Sequence, residues 1–191
     1  MNDKIPQGEG FELQTKLPRM RYRVGMSLPV LSGNDLVAWV ERTSCGWKQL
    51  LAAQPGLLQW PCDIRETTTV AGLLQHIVAV ELRYAERLSD LPQTEYSAIP
   101  FDSVEVLYKT HDRAMQLVQS LDRQNESWWM ETIRFPTRSA GTLDAPRKVI
   151  FFHLLMHSIR HYAQLATIAR KHGIAPGWMM DYLEMGLKKS R

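Results

Sequence analysis

The chain is poor in cysteine, has no long apolar run and carries almost no charge excess. Cys45 and Cys62 are its only cysteines and stand outside any CxxC spacing. This excludes a disulfide framework and fits a reduced, cytoplasmic protein. Against 23 basic residues stand 20 acidic ones, a net charge of +3. That excess is too small to call for a nucleic-acid or membrane-surface partner. No stretch approaches the roughly 20 apolar residues of a membrane helix. The most apolar run, residues 149–156, is interrupted by His153. The N-terminal MNDKIPQGEGFELQ lacks the apolar segment of a signal peptide. No glycine-rich phosphate loop and no internal repeat is present. What remains is ordinary globular material, 45% apolar and 23% charged. The length suits one domain able to bury a core without disulfides or a structural metal.

The expected organisation is an N-terminal arm, residues 1–32, followed by one helical domain, residues 33–191. The arm is polar and holds the basic cluster Arg19, Arg21 and Arg23, which reads as a surface-wrapping segment. Ser32 or Asn34 caps a first helix running to about residue 53, with Leu36, Val40, Trp47, Leu50 and Leu51 inward. Pro55 and Gly56 end it, and residues 57–65 read as a linker around the Trp60-Pro61 step. A second helix is expected over about residues 69–90, with a stripe of Leu73, Ile77, Val80, Tyr84 and Leu88. A third spans about residues 102–122, carrying Val104, Leu107, Tyr108, Met115, Val118 and Leu121 inward. Residues 122–145 are irregular, with a Trp128-Trp129 pair and a short strand at 131–135 that can hairpin with 142–143. A fourth helix begins near Pro146 and ends at Gly173. Pro176 opens a last short helix to about residue 187. Four long amphipathic segments with little strand make an all-α helix bundle.

The chemistry sits on the fourth helix. Half of the six histidines, His153, His157 and His161, recur there every four residues. At 3.6 residues per turn each step rotates about 40°, so the three share one face with Ile150, Leu154, Gln164 and Ile168. Imidazoles on an apolar face need partners, because burying a polar group without one costs a few kcal/mol. A single core histidine is ordinarily a hydrogen-bonded structural group. Two at this spacing can also converge on one metal ion. Ser158 occupies the place of the base in the HExxH motif of zinc proteases, which excludes that reading. A third ligand must come from another helix, and His76 is the best placed, about 75° from the centre of its helix's stripe and so at its rim. Glu81 is a further oxygen donor, and His111 lies midway along the third helix. His172 stands where it offsets the dipole of the fourth. Spacing alone leaves open which two of His153, His157 and His161 are ligands.

Two segments give the chain a likeness to a known family. Residues 70–77, VAGLLQHI, continue to Glu81 and Tyr84, and residues 152–164 read FHLLMHSIRHYAQ. Together they resemble the DinB-like family of metal-binding four-helix bundles of up-down-down-up type, over roughly residues 34–173. The resemblance implies one ligand from the second helix and two from the fourth, here His76, His157 and His161, with His153 present but not ligating. Tyr162 and Ala163 replace the family's usual Arg-Gly, so an arginine is lost while a small residue suited to close helix packing is kept.

The resemblance further implies a divalent transition metal such as zinc, nickel or iron, with positions left open on the ion. Related families include transferases that use the low-molecular-weight thiols bacillithiol or mycothiol, and a thiol-dependent isomerase. The expected function is therefore a metal-dependent thiol transferase or hydrolase acting on a small electrophilic substrate. The other reading is a non-enzymatic, metal-stabilised bundle or stress-related binding module. A structural site would be closed by a fourth ligand, for which Glu81 is the candidate. Glu81 is also the candidate base, and Trp128, Trp129 and Arg138 lie on a loop that can reach the mouth. The second face of the fourth helix, Phe152, Leu155, Ile159, Tyr162 and Ala166, needs cover of its own. Either the terminal segments or the second subunit of a homodimer supplies it. Cys45 and Cys62 read as small core or linker residues.

Overall fold

The structure, a computed structural model of the 191-residue chain, describes residues 29–64, 66–137 and 140–186. The chain divides into two units, residues 1–30 and 31–191. The first, with Arg19, Arg21 and Arg23, lies outside the described residues apart from its last two. The second is mostly helical, with one small sheet.

Helix α1 (Gly33–Ala53) starts at a capping box: Asp35 N donates to Ser32 Oγ at 3.1 Å, and Ser32 N donates to the Asp35 carboxylate at 2.9 Å. It ends where Pro55 opens a 3₁₀ turn, Pro55–Gln59. That turn is no surface linker, because Leu57 and Leu58 are buried in the core. Thr69 caps α2 (Val70–Leu88) and Ser103 caps α3 (Val104–Ser120), each by accepting a backbone N–H of the first turn. A five-residue helix α4 (Glu126–Met130) follows, capped by Asn125. Strands β1 (Thr132–Pro136) and β2 (Thr142–Pro146) form an antiparallel hairpin. The hairpin runs directly into α5 (Arg147–Lys171). Gly173, at φ +77°, closes α5 with Ile174 N donating to Ala169 O at 3.0 Å. The expected C-terminal helix is reduced, among the described residues, to a 3₁₀ turn at Tyr182–Met185.

The long helices pack with α2 against α3 and α5, and α1 against α5 and α3. Helix α2 is buried nearly all round, at 14 of its 19 positions, so its apolar stripe underestimates its contacts. The second face of α5 meets α1 within the same chain. There Leu155, Tyr162 and Ala166 are buried, and the Tyr162 hydroxyl donates to Ser44 Oγ at 3.3 Å. Ala163 is exposed, so a small residue is not needed at that position for helix packing. Among the described residues no helix is long and apolar enough to cross a membrane.

The apolar core is two clusters rather than one. The first gathers Trp47, Leu73, Ile77, Tyr108 and Leu165; the second gathers Val40, Leu82, Met115, Ile150 and Leu154. Every long helix crosses from one cluster to the other through buried polar residues: Thr43 and Ser44 on α1, Glu81 on α2, His111 on α3, and His157, Ser158 and His161 on α5. A polar layer thus crosses the fold at one height, and the candidate site belongs to it.

The tail after Gly173 is held on α1. Trp178 meets Trp47 edge-on with ring centroids 5.3 Å apart, and Trp39 Nε1 donates to Met180 O at 2.8 Å. The indole of Trp178 lies where a Cβ at Gly46 would stand. Gly46→Ala is therefore expected to displace the tail and cost about 1–3 kcal/mol in urea unfolding. With Trp178→Ala in place, the same substitution should cost clearly less.

Candidate metal centre

His76 stands on the second turn of α2, and His157 and His161 stand one turn apart on α5. Because α2 packs on α5, the three rings meet. The Nε2 of His157 lies 3.0 Å from the Nε2 of His76 and 3.1 Å from that of His161. One ligating nitrogen from each ring falls within 4.8 Å of the others. Nitrogens bound tetrahedrally to zinc at about 2.0–2.1 Å would be about 3.3 Å apart. The cluster is thus within a few tenths of an ångström of that spacing at the two closest pairs.

The surrounding groups favour lone pairs at the centre. The Gln164 Oε1 accepts from His161 Nδ1 at 2.6 Å, which leaves Nε2 unprotonated and facing the other two rings. Arg160 donates to that same Nε2 at 3.2 Å. His157 is buried at 7% exposure. Burial first, then His161, His76, Arg160 and His153, push its pKa down to about 2. It is neutral at any ordinary pH, as a metal ligand must be. Its Nδ1 is buried with no hydrogen-bond partner among the described residues. Two imidazole nitrogens in contact can share one proton, but three converging rings are not all satisfied that way. The donor set fits a divalent ion better than it fits a hydrogen-bonded core.

His153 stays apart. Its ring leans on Tyr84, centroids 5.3 Å apart, and it is exposed at the mouth of a cleft. Spacing could not separate it from His157 and His161; packing does, because α2 brings His76 opposite the later pair.

Glu81, the candidate fourth ligand and base, is not at this centre. Five residues beyond His76, it is rotated by about 140°. It is fully buried, and its Oε2 pairs with His111 Nδ1 at 2.7 Å, so it neither closes the site nor serves it as a base. Nor do Trp128 and Trp129 reach the mouth: Trp128 stacks under the Arg147 guanidinium at 4.5 Å, and Trp129 packs on Phe151. Arg138 lies outside the described residues. His172 caps α5 and stacks on Trp60, centroids 4.0 Å apart. Cys62 is buried and takes the Thr67 hydroxyl at 3.2 Å, while Cys45 is exposed on α1.

His76 and His157 line a cleft of about 480 Å³ between α2, α5 and the hairpin, with His161 behind them. Its α2 wall carries His76, Val80, Arg83 and Arg87, and its α5 wall His153, His157 and Arg160. The arginines were not singled out from sequence, although a signal existed. Arg83 and Arg87 follow His76 by seven and eleven residues, which places all three within about 20° of one helix face.

A mostly helical fold with three histidines converging from two neighbouring helices, two of them lining a cleft, defines a candidate metal-binding helical protein. The chain belongs to the DinB family, whose model matches residues 36–188. The match runs past Gly173 and takes in the tail packed on α1. No curated protein matches the chain.

Proposed function

We propose that His76, His157 and His161 hold one divalent transition metal, zinc, nickel or iron, in an up-down-down-up four-helix bundle. We further infer that the protein is a metal-dependent thiol transferase or hydrolase acting on a small electrophile. The observation that carries the reading is the convergence of three ring nitrogens within 4.8 Å. No fourth histidine, cysteine or carboxylate joins them among the described residues, and the cluster faces a cleft. An open site of three protein ligands is the catalytic pattern, whereas structural zinc sites are closed by four. A divalent ion there supplies Lewis acidity and lowers the pKa of a bound water or thiol. The chain's own residues do the rest: Gln164 orients His161, burial keeps His157 neutral, and the cleft admits a small molecule.

Elemental analysis of protein purified without a metal-affinity tag tests the assignment. Wild type is expected to carry about one metal per chain. His76→Ala, His157→Ala and His161→Ala should lose it, and His153→Ala should keep it. A wild type that stays empty after reconstitution with zinc or nickel would reduce the triad to core polar groups.

A further inference from the structure

The cleft has a charge pattern that the triad does not explain. Arg83, Arg87 and Arg160 all line it, and among the described residues none has a carboxylate within ion-pair distance. Arg87 is the telling one. It is 8% exposed, and its Nε is buried without a hydrogen-bond partner. Its other contacts are neutral: Gln93 Oε1 at 2.5 Å, Pro136 O at 3.1 Å, and the faces of Tyr84 and Phe135 at 4.8 and 4.5 Å. A buried cation without a counter-charge is costly. Arg83, one turn earlier on the same face, adds like-charge repulsion. Burial works most against the charged form of Arg87; Tyr84 favours it, and Arg83 opposes it in turn. Arg83 is half-buried and spends one donor on the Thr94 carbonyl, leaving the rest of its guanidinium toward the cleft.

Elsewhere the fold pairs its buried charges. Glu86 takes Thr94 and Arg113, and Arg147 takes Asp90 and Glu131. Among the described residues Arg87 is therefore the one buried arginine without a carboxylate partner, and the cleft's own carboxylate, Glu66, makes no ion pair with it. Along α2, Arg83 and Arg87 lie about 10 and 16 Å beyond His76. One small molecule in a 480 Å³ cavity can reach from them toward the triad.

We propose that the cleft binds its small molecule by an anionic group, a carboxylate or a phosphate, held by Arg83 over the fixed charge of Arg87. The uncharged, reacting end then lies toward His76, His157 and His161. This deepens the proposed activity and rests on that reading for the triad end; the anion site itself stands on the arginines.

Isothermal titration calorimetry on the full chain separates the two. The probes are succinate, inorganic phosphate and neutral succinamide, each applied to chelator-treated and to zinc-loaded protein. Succinate or phosphate is expected to bind metal-free wild type, the tighter of the two identifying the anion, and succinamide is expected not to bind. Arg83→Gln should weaken binding about tenfold or more, the loss of a charge-assisted pair. Arg83→Lys should recover part of it. Lys109→Gln, which removes one exposed charge on α3, should bind as wild type. Circular dichroism establishes that each variant is folded. Equal binding by succinamide, or wild-type affinity in Arg83→Gln, would overturn the proposal. So would binding that requires zinc and ignores Arg83, which would put the anion on the ion. A chain that takes no zinc yet binds succinate through Arg83 would keep the anion site and remove the metal reading.

Discussion

Glu81→Ala is expected to lower stability by about 3–5 kcal/mol at pH 6, the cost of breaking a buried ion pair from one side. For a chain of this size that is a fall in Tm of roughly 6–20 °C. Glu81 is fully buried and His111 is 3% exposed, and they meet at 2.7 Å in the polar layer between the two apolar clusters. Burial opposes charge on His111, but the Glu81 carboxylate, with Glu41 and Asp112, overrides it and raises its pKa. The sign of the pH dependence follows. A histidine whose pKa is higher folded than unfolded contributes fully below the unfolded value of about 6.5. The contribution is lost as pH rises through the raised folded value. The gap between wild type and Glu81→Ala should therefore be widest at pH 6 and narrow as pH climbs from 6.5 through that value. Glu81→Gln, which keeps an acceptor, should cost less. The double variant with His111→Ala should cost less than the two singles added. Urea unfolding across pH 5.5–9 measures all four; a gap that is flat with pH would show that His111 is not charged in the folded state.

Zinc should raise the Tm of the chelator-treated protein. A ligand that binds only the folded state at a hundred times its Kd stabilises by about 2.7 kcal/mol, or roughly 5–10 °C here. His157→Ala should abolish the shift and His153→Ala should leave it intact. The comparison isolates the site from any loss of stability in the variants themselves, because the quantity read is the zinc-dependent difference. A shift that survives in His157→Ala would mean that zinc binds elsewhere.

Helix boundaries were largely legible from residue order because they rest on local chemistry. The Ser32, Thr69 and Ser103 caps, Pro55, and Gly173 at positive φ act within one turn of where they stand. The common face of His157 and His161 was legible for the same reason, since helical rotation alone puts them together. The hairpin was placed near 131–143, close to its observed strands, because turn and strand residues also act locally.

What depends on which helices are neighbours was not legible from periodicity and spacing; the set His76, His157 and His161 came from the family resemblance. Periodicity gives the direction of a side chain about its own axis and says nothing of what lies opposite. Packing α2 against α5 brought His76 to His157 and His161 and left His153 against Tyr84. The same neighbour relations turned Glu81 toward α3 and His111 instead of toward the metal centre. Helix α1 packs on the second apolar face of α5 from within the chain, where Tyr162 meets Ser44, while Phe152 and Ile159 stay half-buried. A central helix such as α2 is buried on faces that its own sequence marks as polar. Arg87 and Glu86 are each buried there, one beneath the hairpin and the other against Thr94 and Arg113. Residue order thus determined where the helices are and which residues each one presents. The contacts between helices, made by residues distant in the chain, decided which of those residues form a site.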